Sequence, residues 1–170
     1  MSSIIPPRPR STGGTKFHVA IVASRFNQEF TDALVENAVE EIQSLTENPR
    51  IDIFRVPGAF EIPVVAQAVI EEDAPQCIIA LGCIIRGATA HADLVASTVT
   101  NDLSRLALDH KTPVIHEVLL VEDEKQAYAR CIGGTLNRGK EAARSCVEII
   151  TVLNEVNRAN QSMRLHPSNA

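Results

Sequence analysis

From Cys77 to Ile85 the chain is apolar throughout, with Gly82 as the one interruption. An unbroken run of this length reads as a strand buried on both faces of a parallel sheet, not one that alternates between core and water. Phe17–Ala23, Ile51–Val56 and Pro113–Val121 are three further β-rich runs. Between the runs, apolar residues return every three or four positions. Phe30, Leu34, Ala38, Ile42 and Leu45 predict a helix from about Gln28 that stops before Asn48 and Pro49. A second helical pattern covers about Phe60–Glu71, where Pro63 is tolerated because it falls in the first turn. Leu94, Val95, Val99, Leu103 and Leu106 predict a third helix reaching about Asp109. Glu122–Arg130 reads as a short helix, and Lys140 to about Asn160 as a long last one with Ala143, Val147, Ile150 and Leu153 on one face.

Strand and helix therefore alternate four times, which predicts an α/β fold: a parallel sheet with right-handed crossovers and helices on both faces. Residues 1–15 contain Pro6, Pro7, Pro9, Gly13 and Gly14 and predict an extended or flexible arm. Residues 16–160 are expected to form one domain, and the polar residues 161–170 a flexible tail.

Composition narrows the function classes. A chain of 170 residues with 45% hydrophobic and 22% charged positions is that of an ordinary globular domain. The formal charge of −5, without a basic cluster, argues against nucleic acid as a partner. The apolar runs fall short of the roughly 20 residues that a membrane helix needs. The proline-rich start lacks a signal-peptide core, so cytoplasm is the expected compartment. Cys77, Cys83, Cys131 and Cys146 show neither a CxxC pair nor zinc-ligand spacing, and they are read as reduced, small core residues.

In an open parallel sheet, ligands sit beyond the carboxyl ends of the strands. The expected rim residues are Arg25, Phe26 and Asn27 after the first strand, Gly58, Ala59, Phe60 and Glu61 after the second, and Cys83, Ile84, Ile85 and on to His91 from the third. The fourth strand is expected to add His116. Phe26 reads either as a platform for a flat ring or as a core plug. Glu61 is either a helix cap or an acceptor for a polyhydroxyl chain. The small turn Gly87, Ala88 and Thr89 leaves backbone N–H groups open to an anion such as phosphate. At a helix start the dipole favours the neutral imidazole, so His91 suits proton transfer. Arg130 and Arg138 flank a glycine-rich turn, as phosphate ligands or as surface charges.

Four motifs, SRFN (24–27), VPGAFEIP (56–63), GCIIRGATAH (82–91) and the segment 130–139, together resemble the lumazine synthase family, in order and spacing, over roughly Lys16 to Asn157. The resemblance implies a flavodoxin-like αβα sandwich with a four-stranded parallel sheet. It also implies condensation of 5-amino-6-(D-ribitylamino)uracil with 3,4-dihydroxy-2-butanone 4-phosphate to 6,7-dimethyl-8-ribityllumazine, the penultimate step of riboflavin biosynthesis, with no metal or organic cofactor.

By match to the family motifs, Phe26 stacks on the pyrimidine ring with Asn27 beside it. Ala59, Phe60 and Glu61 line the ribityl and ring site, and Cys83, Ile84 and Ile85 contact the uracil edge through their backbone. Ala88 and Thr89 hold the phosphate, His91 transfers protons, and Arg130 reaches the phosphate from an adjacent subunit. His116 stands where phenylalanine is usual, Glu117 replaces a common glycine, and Arg138 replaces a common lysine. The implied partners are the two substrates, further copies of the chain as a pentamer or a shell of twelve pentamers, and riboflavin synthase. The absence of an insert between Arg130 and Arg138 favours the shell. Two rival readings are a carrier or shell that holds a flavin-like ring without turning it over, and a mononucleotide binder. The latter would carry a Ser/Thr-rich loop where SRFN stands.

Overall fold

The structure, a computed structural model, describes residues 17–165 together with Pro7 and Pro9, and side chains as far as residue 161. The rest of the arm expected over residues 1–15, and residues 166–170 of the tail, lie outside the described residues.

Four parallel strands, β1 (His18–Ser24), β2 (Arg50–Val56), β3 (Cys77–Ile85) and β4 (Val114–Val121), pair in the order β2-β1-β3-β4. Among the described residues, three α-helices lie between the strands, α1 (Gln28–Leu45), α2 (Ile62–Asp73) and α3 (His91–His110), and two follow β4, α4 (Glu124–Cys131) and α5 (Arg138–Leu165). The arrangement is the flavodoxin-like αβα sandwich that the resemblance implied.

Side chains alternate across a strand, so each central strand feeds two cores. Val19, Ile21 and Ala23 of β1 and Cys77, Ile79 and Leu81 of β3 meet Leu34, Ala38 and Ile42 of α1 and Ala143, Val147 and Ile150 of α5. Ala20, Val22, Ile78 and Ala80 meet Ile62, Ala66 and Ile70 of α2 and Val99 and Leu103 of α3. Both faces of β1 and β3 are thus dry, which is why their sequences lack polar alternation. Helices α1 and α5 approach closely at Gly139, where an added Cβ would lie 2.4 Å from the Leu34 carbonyl oxygen.

Three element boundaries differ from expectation. The second helical pattern splits into a 3-10 turn, Ala59–Glu61, followed by α2, which leaves Pro63 in the first turn of α2. The split has a cause in Glu61, whose carboxylate turns back to accept the Gly58 N–H at 2.8 Å and closes the turn. Helix α4 begins at Glu124, not Glu122, because the Asp123 side chain caps it by accepting the Gln126 N–H at 2.7 Å. Helix α5 starts at Arg138 and runs to Leu165, beyond the expected end near Asn160. Asn137 starts it, accepting the Lys140 N–H at 3.1 Å and donating back to the Cys131 carbonyl at 3.0 Å.

Candidate active site

Strand order reverses direction between β1 and β3, and a crevice opens at their carboxyl ends. It is a cavity of about 430 Å³ lined by Phe26, Asn27, Ala59, Phe60, Cys83, Ile84, Ile85, Thr89 and His91, with Ser24, Gly58, Gly87, Ala92 and Val95 completing the wall. Its lining is mostly apolar with a few convergent polar groups, the usual make-up of a small-molecule site.

Each wall follows from local structure. Beyond β1 the chain stays tied to the exit of β2: the Arg25 N–H donates to Val56 at 2.8 Å and the Phe26 N–H to Pro57 at 3.2 Å. Asn27 then takes a left-handed conformation, φ 53°, which asparagine tolerates better than most residues. Its carbonyl receives the Phe30 and Thr31 N–H groups that begin α1, and its side-chain amide donates to the Cys83 carbonyl at 2.8 Å. These bonds leave the Phe26 ring standing free of the core, with 74% of the residue exposed. A core plug would be buried, so Phe26 is not one in this chain, and its ring is open to the cavity.

Across the cavity, β3 ends at Ile85 and the turn Gly87–Thr89 leads into α3, with His91 as its first residue. Among the described residues, no backbone acceptor meets the N–H groups of Gly87, Ala88 and Thr89. The turn therefore has free donors beside the N-terminal end of a 20-residue helix, a suitable place for an anion. Ala92 and Val95 follow His91 on the helix face that closes the cavity. Sequence reasoning placed Val95 only in the helix pattern, although a residue four positions after His91 has to share its face.

The remaining candidates lie elsewhere in the chain. Ala88 sits in the turn between two lining residues. Glu61 lies just beyond Phe60, and its capping of Gly58 matches the helix-cap alternative. His116 does not stand at the rim, contrary to expectation. It is the third residue of β4, opposite Ala80, and five more strand residues, to Val121, separate it from the carboxyl end. Its ring tautomer follows from its partners: the Val118 N–H donates to Nδ1 at 3.2 Å, so Nε2 carries the hydrogen toward Thr100 Oγ1 at 2.8 Å. Burial lowers the pKa of this imidazole and keeps it neutral.

Arg130 lies in the last turn of α4, away from the cavity of its own chain, with Nη1 donating to the Gln126 carbonyl at 3.4 Å. Arg138 is buried at the start of α5 and ion-paired with Glu141. Close to that pair lies Glu117 of β4, whose carboxyl is pushed up to about 8 by burial and by Glu141, partly offset by Arg138. All four cysteines are buried and free. The Cys131 thiol is raised by its hydrogen bond with Cys83 and by burial, and Cys146 by burial and its bond with Cys77, so neither is a ready nucleophile.

An aromatic platform, an anion turn and a histidine on one crevice suit joining a flat ring to a small phosphorylated partner. Comparison with known proteins finds relatives along most of the chain. A polypeptide of a Polaromonas species named 6,7-dimethyl-8-ribityllumazine synthase is 42% identical over 144 residues, covering 84% of this chain and 91% of the relative. One of Paracidovorax citrulli with the same name is 41% identical with the same coverage, and one of Pediococcus pentosaceus is 38% identical over 146 residues, covering 85% and 94%. The model of the 6,7-dimethyl-8-ribityllumazine synthase family matches residues 16–154, nearly all of the described domain, and the chain belongs to that family.

Proposed function

We propose that the crevice at the ends of β1 and β3 is where the chain carries out the family reaction, condensing 5-amino-6-(D-ribitylamino)uracil with 3,4-dihydroxy-2-butanone 4-phosphate. The products are 6,7-dimethyl-8-ribityllumazine, phosphate and water, in the penultimate step of riboflavin biosynthesis. The observation that carries this reading is that Phe26, Thr89 and His91, delivered by different elements, border one cavity.

Phe26 stacks on the pyrimidine, and the backbone of Cys83, Ile84 and Ile85 addresses its polar edge while Asn27 holds that edge in place. Ala59 and Phe60 bound the ribityl chain, and the Glu61 carboxylate accepts from its hydroxyls. Ala88 and Thr89 bind the phosphate. The aryl amine attacks the ketone, the carbinolamine loses water to give an imine, phosphate is eliminated, and the ribitylamino nitrogen closes the ring on the remaining carbonyl with loss of a second water. His91 carries the protons these steps move, while holding the two reactants face to face supplies much of the rate.

Arg130 completes the phosphate site from an adjacent subunit, with Arg138 behind it. Support for such an assembly comes from large apolar side chains left in water: Leu94 and Leu108 on α3 are 66% and 75% exposed, and Val64 on α2 is 64% exposed. The assembly is a pentamer, built further into a shell of twelve pentamers, and riboflavin synthase is a candidate companion. Among the described residues no helix is long and apolar enough to cross a membrane, and cytoplasm is the proposed compartment.

The test is direct. Purified protein mixed with the two substrates is expected to generate lumazine absorbance and fluorescence. A rate no faster than the uncatalysed reaction would instead favour a protein that only holds the ring.

A further inference from the structure

Arg86 directly precedes the anion turn, yet its side chain does not line the cavity. Its Nε and Nη2 donate to Oδ1 of Asp93 at 3.2 and 2.6 Å, and its Nη1 donates to Glu122. Its backbone N–H donates to the Val121 carbonyl at 2.9 Å. One residue thus joins the end of β3, the first turn of α3 and the segment just after β4. The turn Gly87–Thr89 and His91 hang between these fixed points. Asp93 is two residues past His91, so the clamp fixes the helix turn that carries the imidazole as well as the loop that carries the free N–H groups.

Charge does not explain the arrangement. The three guanidinium nitrogens already face carboxylates, and two carboxylates against one cation leave the back of an anion site slightly negative. Bulk stability does not explain it either, because ion pairs as exposed as these contribute little. What remains is geometry: a planar fork engaged on two sides sets orientation in a way a point charge does not.

We propose that Arg86, held by Asp93 and Glu122, is a positioning residue that keeps the Gly87–Thr89 turn and His91 in register for the phosphorylated substrate. The inference rests on the reading of that turn as the phosphate site, and the experiment separates the two. Full-length Arg86→Met, Arg86→Lys, Asp93→Asn and Thr89→Ala are compared with the unaltered chain in steady-state kinetics with both substrates, in inhibition by inorganic phosphate and in thermal unfolding.

Arg86→Met is expected to raise the KM for the butanone phosphate and the inhibition constant of inorganic phosphate by ~10-fold, the scale of a sub-ångström misplacement. The KM for the ribitylaminouracil and the unfolding temperature should stay as they were. Arg86→Lys should recover only part of the loss, and Asp93→Asn added to Arg86→Met should cost nothing more, since both break one clamp. If Thr89→Ala weakens phosphate inhibition while Arg86→Met does not, the turn binds phosphate without this clamp and the proposal is overturned. If neither substitution moves phosphate inhibition, the turn is not the phosphate site and both readings fall.

Discussion

The side-chain amide of Asn27 donates to the backbone carbonyl of Cys83 at 2.8 Å, tying the loop after β1 to the end of β3 across the floor of the cavity. The same residue has a left-handed backbone and starts α1. Asn27→Ala removes the amide and places an ordinary Cβ where φ is positive. It is expected to cost about 1–3 kcal/mol, the sum of a lost hydrogen bond and a strained conformation. Asn27→Gly keeps the backbone freedom and should cost less than the alanine variant. Urea unfolding of the two variants at matched concentration checks the order.

Phe26 separates folding from binding. Its ring buries little within the chain, so Phe26→Ala should leave the unfolding temperature nearly unchanged. Loss of a stacking platform is worth about 1–3 kcal/mol for a flat ring. The KM for the ribitylaminouracil should therefore rise by one to two orders of magnitude, while that for the butanone phosphate moves little. Steady-state kinetics with each substrate varied in turn reads the difference.

Glu117 predicts an unusual dependence on pH. Its carboxyl is raised from 4.5 to about 8 in the folded chain, so between those values the folded state holds a proton that the unfolded state releases. The stability associated with this group is complete below pH 4.5, falls as pH rises and levels off above about 8. Glu117→Gln cannot ionise, so its advantage over the unaltered chain should grow from pH 5 to pH 8. Thermal unfolding across that range measures it, and a difference that shrinks with rising pH would contradict the assignment.

His116 carries the opposite sign. Burial lowers its pKa, so protonation below about pH 6.5, the unfolded value, favours the unfolded chain. Protonation at Nδ1 would also cost the bond from the Val118 N–H. His116→Phe is expected to flatten the acid limb of the stability profile, measured by unfolding between pH 5 and pH 7.

The strands were legible because β1 and β3 are buried on both faces and leave continuous apolar runs; β3 was expected over the residues it occupies. The crevice was legible for the same reason, since parallel strands deliver their following loops to one edge. What could not be read depended on partners distant in sequence. The 3-10 turn at Ala59–Glu61 exists because one carboxylate folds back on Gly58. His116 was expected at the rim with the fourth strand, but it precedes the end of β4 by five residues, and α3 supplies Thr100 to satisfy its ring. Arg138 looked like a surface or phosphate charge, and its burial follows from Glu141 on the next helical turn and Glu117 from β4.

The central claim is that the crevice of one subunit is completed by Arg130 of the next. Co-expressing His91→Ala chains with Arg130→Ala chains, each deficient alone, tests it. If sites span two subunits, random assembly makes about a quarter of the interfaces intact, from one half times one half, and lumazine formation should recover to about that share of the unaltered rate. If the mixture is no more active than the two variants measured separately, Arg130 does not act across a subunit boundary and the shared site is wrong.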